Sequence, residues 1–158
     1  MQTIVVGVDG SRGSRRALDF ALYEARYRRA TLRVVRAWSR WSAFVNGNAE
    51  PLPWPSGMGQ AFDEIRANAD PQLERWVESA RDRTGVHDVE AELQTREGDA
   101  APVLLGAASD ADLLIVGTRG RHDPGRAFLA SIGRDLRRRA ACPVVFVPDH
   151  DDHQEAAR

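Results

Sequence analysis

The chain has 158 residues, 42% hydrophobic and 28% charged, with a formal net charge of -1. This is the size and composition of one globular domain, and the charge balance gives no global drive towards nucleic acid or a membrane surface. All 22 cationic side chains are arginine, which excludes a P-loop lysine, a Schiff-base lysine and a lysine general base, and the single cysteine, Cys142, excludes an intrachain disulfide. No apolar run approaches the ~20 residues that span a membrane. The first strand begins almost at once, so no signal peptide and a cytoplasmic location are expected.

Thr3 to Asp9 is a continuous apolar run ending in a carboxylate, the pattern of a strand buried on both faces. Gly10-Ser11 turns the chain, and Ser11 or Ser14 is placed to cap the helix that follows. In that helix Ala17, Leu18, Ala21, Leu22 and Ala25 form one apolar stripe, while Arg15, Arg16, Glu24 and Arg28 face water. Thr31 to Ala37 reads as the second strand. From Trp38 to Gln60 the chain is irregular, with Gly47, Pro51, Pro53, Pro55, Gly57 and Gly59, and is too long for a neutral connector. It reads as a lid or a mobile segment, whose Trp38, Trp41, Phe44 and Trp54 either cover a crevice or pin the loop to the core.

A helical pattern runs from Ala61 to about Arg83, with Asp70-Pro71 marking a kink or a fresh N-cap and N1 pair. Val89 to Gln94 alternates, as a strand near the sheet edge does. Ala101 to Ser109 reads as a short helix and Asp112 to Gly117 as the fourth core strand. A helix starting at Ile132 carries Ile132, Leu136 and Ala140 at four-residue spacing. Cys142 reads as a small buried hydrophobe before the fifth strand, Pro143 to Val147. Asp149 to Arg158 is polar and reads as a disordered tail, which leaves residues 1–148 as one domain.

This alternation predicts an α/β fold: a doubly wound, five-stranded parallel sheet with helices on both faces. Ligands in such sheets sit beyond the carboxyl ends of the strands, where Asp9, Ala37 and Gly117 each end a strand. After the fourth strand comes a loop with Gly117 and Gly120, then a helix start. Glycines let backbone amides approach an anion, and a helix N-terminus supplies unpaired N–H groups, so this stretch is a candidate phosphate site. Arg119, Arg121 and Arg126 would add guanidinium forks suited to phosphate oxygens. Arg134, Arg137, Arg138 and Arg139 read instead as a solvated helix face, three of them complementing the dipole of the last turn, and no nucleic-acid partner is expected. His122, His150 and His153 lack the spacing and company of a metal site.

The spacing Gly117-x2-Gly120-x9-Ala130-Ser131 resembles G-x2-G-x9-G-[ST], the nucleotide-binding pattern of the ATP-binding universal stress proteins. Val6-Gly7-Val8-Asp9-Gly10-Ser11, Gly98 before the third helix, the Asp112 to Gly120 strand and loop, and Cys142-Pro143-Val144-Val145-Phe146-Val147 are also similar to that family. The resemblance covers residues 2 to 148. It implies a Rossmann-like, adenine nucleotide alpha-hydrolase-like fold that binds ATP or another adenine nucleotide, or none, and acts in stress signalling rather than metabolism. It also implies a homodimer through the last strand, whose seam would include Val145 and Val147. By position, Val8 and Ala37 would flank adenine, and Asp9 would meet the ribose or a Mg²⁺-bridged phosphate. Val116, Gly117, Arg119 and Gly120 would line the phosphate loop. Ser131 would give a hydroxyl and an amide to phosphate, and Ile132 the next amide.

Two departures bear on affinity. Ala130 replaces the third glycine, and if that position needs positive φ or close phosphate approach, its Cβ costs roughly 1–2 kcal/mol. Gly133 replaces a residue that is often a second serine. Neither Ser11 nor Ser131 sits in a G-x-S-x-G elbow, and no positioned base or paired acid is visible. An enzyme is therefore not expected beyond slow ATP hydrolysis. The alternatives to a nucleotide-binding module are a nucleotide-free dimerisation or interaction module of the same fold, and a weak ATP hydrolase.

Overall fold

The apolar runs fold as parallel strands, and the amphipathic stretches between them become helices on both sides of the sheet. In a computed structural model of the protein, residues 1–38, 58–118 and 127–149 are described, with side chains for 1–38, 71–118 and 131–149. The elements are β1 (Thr3–Gly7), α1 (Arg12–Arg28), β2 (Thr31–Trp38), α2 (Met58–Thr84), β3 (Ala91–Glu97), α3 (Ala100–Ala107), β4 (Leu113–Gly117), α4 (Ala127–Arg139) and β5 (Val144–Val147). The sheet order is β3-β2-β1-β4-β5 and every pairing is parallel, as the element order predicts. The order reverses between β1 and β4, which opens the ligand crevice of such sheets over those two strands.

Register decides which side chains meet which helices. Ile4 lies beside Leu32 and Leu113, and Val6 beside Val34 and Ile115. These residues form one core with Ala17, Leu18, Ala21, Leu22 and Ala25 of α1 and Leu73, Val77 and Ala80 of α2. The alternate residues Val5, Val35, Leu114 and Val116 pack on the other face against Leu104 and Ala107 of α3 and Leu136 of α4. A strand buried on both faces has no polar positions to spare, which is why β1 and β4 read as unbroken apolar runs.

Several boundaries differ from the sequence reading. β1 ends at Gly7, although the Val8 N–H still donates to the Val35 carbonyl at 2.9 Å. Trp38 is the last residue of β2 and only 8% exposed, so it belongs to the core rather than to the irregular segment. The expected lid, with Trp41, Phe44 and Trp54, falls on residues 39–57, outside the described residues. α2 begins at Met58 and runs through Pro71 as one helix. No new N-cap forms at Asp70-Pro71, because packing of Leu73, Val77 and Ala80 into the core holds the continuation in place at the cost of one ladder bond. β3 is shifted towards Glu97 but lies at the sheet edge, as expected.

Arg33 ties three elements together on the α3 side. Its guanidinium donates to the Ala107 carbonyl at 2.8 Å, to Asp110 Oδ1 at 2.8 Å and to Glu92 Oε2 at 3.2 Å. The bond from Arg33 holds the Asp110 carboxyl below the usual carboxylate range.

Two glycines with positive φ separate backbone strain from crowding. Gly10 (φ +80) carries Trp76 so close that a Cβ there would lie 2.4 Å from the indole, whereas a Cβ on Gly85 (φ +69) would meet nothing within 4 Å. Gly85→Ala is expected to cost only left-handed backbone strain, about 1–2 kcal/mol. Gly10→Ala adds displacement of a packed indole, roughly 1–3 kcal/mol more. Urea unfolding of the two variants checks the ordering, and equal losses would show that Trp76 yields freely.

Candidate functional site

The crevice is organised by the turn between β1 and α1. Gly10 takes the left-handed conformation that turns the chain, and Ser11 then caps α1 by accepting the Ser14 N–H at 3.1 Å. Ser14 Oγ donates to the Ser11 carbonyl at 3.1 Å and accepts the Asp9 N–H at 3.3 Å. Asp9 Oδ1 accepts the Ser11 N–H at 2.9 Å. This closed ring fixes the Asp9 carboxylate at the carboxyl end of β1, and Ser14 at its centre is buried. The expectation that Ser11 or Ser14 caps α1 is met by Ser11, with Ser14 as its partner.

Gly117, at the end of β4, lies directly against the first turn of α1. A Cβ there would fall 2.6 Å from the Gly13 carbonyl carbon, 2.7 Å from its oxygen and 3.0 Å from the Ser14 nitrogen. The absence of a side chain at Gly117 is therefore demanded by helix–strand packing, independently of any ligand. The same contact seats the Asp9 ring beside the end of β4.

Around this point the sheet contributes Val8 and Val116, both buried, and Ala37, half-buried near the end of β2. Trp76 of α2 covers Gly10, and the Arg36 guanidinium stands 5.0 Å from the centroid of the indole. Nothing in the sequence marks Trp76 as a crevice residue, because its place depends on how α2 docks against the β1–α1 turn. Asp149 is a second residue placed by tertiary structure. Its carboxylate pairs with Arg12 at 2.8 Å, and its carbonyl accepts from Arg12 at 3.2 Å and Arg16 at 3.3 Å. Asp149 therefore belongs to the folded body rather than to the expected tail, and residues 150–158 lie outside the described residues.

The helix after β4 departs from expectation. It starts at Ala127 rather than Ile132, because Ala127, Leu129 and Ala130 are strong helix formers and extend it towards the loop. Ser131, Ile132 and Gly133 thus lie beyond the first turn, where backbone N–H groups are committed to the helix ladder. The expected donation of Ser131 and Ile132 amides to phosphate does not fit that placement, while Ser131 as a residue is exposed. Ile132 packs against the α3–α4 core, and a Cβ on Gly133 would approach Phe146 at 3.4 Å. The backbone at Ala130 is right-handed helix, so the cost expected from positive φ does not arise there. Arg119, Gly120, Arg121, His122 and Arg126 lie outside the described residues.

Val8, Asp9, Ala37, Val116 and Gly117 are thus gathered at the carboxyl ends of β1, β2 and β4, with the α4 residues on a neighbouring helix. Among the described residues, no group of three or more His, Cys, Asp or Glu side chains is arranged to hold a metal. Burial pushes the half-buried Cys142 thiol up, with Asp112 adding to the shift, which disfavours a thiolate. No helix among the described residues is long and apolar enough to cross a membrane.

Gly117→Ala is expected to push α1 off β4 and to destabilise the fold by about 1–3 kcal/mol. Amide exchange at Ser11 and Ser14 should quicken with it, since the Asp9 ring rests on this contact. Unchanged exchange at those two amides would disconnect the ring from Gly117.

A sequence model of the universal stress protein family matches residues 1–148. Universal stress protein Rv2623 of Mycobacterium tuberculosis is 35% identical over 149 residues, which is 94% of this chain and 48% of that protein. Universal stress protein Rv2624c of the same organism is 32% identical over 147 residues, again 48% of that protein and 93% of this chain. The chain spans about half the length of these curated relatives. The structure of the universal stress protein from Archaeoglobus fulgidus in complex with dAMP matches with a TM-score of 0.60 at 26% identity, covering 93% of this chain and 98% of that one. A universal stress protein in complex with cAMP matches in fold with a TM-score of 0.63 at 24% identity, covering 94% of this chain and 98% of that one.

Proposed function

The chain belongs to the universal stress protein family, and we propose that it binds an adenine nucleotide, ATP with Mg²⁺, in the crevice over β1, β2 and β4. The observation that carries this reading is the Asp9 carboxylate, fixed by its hydrogen-bonded turn at the switch point beside Gly117. Support comes from the similar Archaeoglobus fulgidus protein, which is in complex with dAMP.

In this reading Val8 and Ala37 flank the base from neighbouring strands. Asp9 accepts a ribose hydroxyl or binds phosphate through Mg²⁺. Val116, Gly117, Arg119 and Gly120 line the phosphates and Ser131 lies towards them, while Ala130, Ile132 and Gly133 act only through the placing of α4. Arginine forks suit phosphate oxygens because they pair two at a time. The reading takes occupancy rather than turnover as the output. The reading extends to a cytoplasmic stress-response role, with occupancy biasing a homodimer. Its seam is the β5 edge, where Val145 and Val147 are only partly buried by this chain.

The second reading is a nucleotide-free interaction module. The early start of α4 favours it, since it commits the amides that would otherwise hold phosphate. Calorimetric titration with ATP and Mg²⁺ separates the two. The natural chain should bind saturably, and Asp9→Asn, whose amide oxygen still accepts the Ser11 N–H, should bind about tenfold more weakly through loss of the charge. An absence of binding in the natural chain would establish the nucleotide-free module.

The assembly is tested separately. Sedimentation should show a dimer at micromolar concentration, and Val145→Arg should shift it to a folded monomer, with the fold checked by circular dichroism. A natural chain that sediments as a monomer would remove the dimer from the proposal.

A further inference from the structure

Beyond the crevice residues named above, we infer that Arg12 and Arg16 of α1 form a subsite for a terminal phosphate group at the β5 side of the crevice, filled in this structure by Asp149. The two arginines stand one turn apart at the start of α1, so their side chains share a face of the helix. They converge on one residue. Arg12 Nε donates to Asp149 Oδ1 at 2.8 Å, Arg12 Nη2 to the Asp149 carbonyl at 3.2 Å and Arg16 Nη1 to the same carbonyl at 3.3 Å. Guanidinium groups meeting two oxygens of one residue, one of them anionic, hold it as they would hold the oxygens of a phosphate. The N-terminal end of α1 adds its own partial positive charge.

Position joins this cluster to the crevice. Gly13, the residue after Arg12, lies against Gly117. The Thr118 N–H donates to the Val147 carbonyl at 2.9 Å, so the chain leaves β4 alongside Val147, two residues before Asp149. Strand order then sets a row across the carboxyl ends: Ala37 on β2, Asp9 after β1, Gly117 on β4 and Asp149 after β5. In the nucleotide reading of the crevice, on which this row rests, the sequence is base, ribose, phosphates and last phosphate. Three strand spacings of about 4.8 Å make about 14 Å, which an extended nucleoside triphosphate spans and a monophosphate does not.

Asp149 is readily displaced. The Arg12 side chain is 73% exposed, so an anion reaches it from solvent, and an exposed ion pair contributes little to stability. A terminal phosphate brings a second negative charge and a third acceptor oxygen, and so outcompetes one carboxylate. AMP, too short to reach the pair, leaves Asp149 in place. The subsite thereby discriminates by the length of the phosphate chain.

Calorimetric titration of the full chain with ATP and with AMP, each with Mg²⁺, and with pyrophosphate tests the subsite. Arg12→Gln should weaken ATP about tenfold, the worth of one charge-assisted hydrogen bond, and leave AMP within about twofold. Asp149→Asn should tighten ATP about threefold by removing the competing charge. Pyrophosphate probes the arginine pair without a base. It should bind saturably at millimolar concentration and weaken about tenfold with Arg12→Gln, whether or not the crevice takes a nucleotide. An effect of Arg12→Gln on pyrophosphate but not on ATP would keep the subsite and assign it to free phosphate. The urea midpoints of both variants should stay near that of the natural chain. Should Arg12→Gln unfold, Asp149→Asn is read instead, and pyrophosphate binding no tighter than in the natural chain would overturn the inference. Equal weakening of ATP and AMP, no saturable pyrophosphate binding, or pyrophosphate binding that ignores Arg12→Gln would each overturn it as well.

Discussion

The site depends on one close approach, that of the first turn of α1 to the end of β4. Gly117 and Gly13 bring backbone against backbone, at a separation where any Cβ on Gly117 would collide with the Gly13 carbonyl. Because α1 sits so low on the sheet, Ser14 reaches both the Ser11 carbonyl and the Asp9 amide, and Ser11 reaches the Asp9 carboxylate. A carboxylate is thereby held at the switch point by neighbours that are themselves held. Preorganisation of this kind lets a short loop act as a rigid wall, since the entropy of ordering it is already spent in folding.

The crevice is buttressed from two directions. On the β2 side, Trp76 lies on Gly10 and carries Arg36 on its ring, so α2 cannot move without disturbing the turn that holds Asp9. On the β5 side, Asp149 anchors the end of the described chain to Arg12 and Arg16, within the first turns of the same helix. The Thr118 N–H donates to the Val147 carbonyl and continues the β4–β5 pairing one residue past the end of β4. Ion pairs at partly exposed positions add little stability, so the consequence of the Arg12–Asp149 contact lies in position rather than in energy.

The two edges of the sheet have different chemistry. β5 is short and apolar, flanked by α1 on one face and by α4 on the other, with Arg137 standing over Phe146 at 4.6 Å. β3 is longer and charged, and Arg33 fastens it through Glu92 to β2 and the end of α3. An apolar edge suits a surface like itself, whereas the carboxylates of β3 are partly answered by arginines of the same sheet.

From its sequence alone, this chain determined the order of its strands and helices, the parallel sheet, the apolar stripe of α1 and a serine cap at Ser11 or Ser14. These follow from periodicities and local hydrogen bonds that act over a few residues, whatever the rest of the chain does. Asp9, Ala37 and Gly117 could be nominated for the same reason, since each stands at the end of a recognisable strand, whereas Val8 and Val116 were nominated by the resemblance to universal stress proteins. Tertiary structure alone decided why Gly117 must be glycine, that Trp76 covers Gly10 and that Asp149 returns to Arg12, because each contact joins residues far apart in the chain. It also decided that Trp38 completes β2, where burial outweighs the irregular composition that follows. The start of α4 lies between the two cases. The sequence pattern starts this helix at Ile132, but the helix-forming residues before it carry the helix back to Ala127.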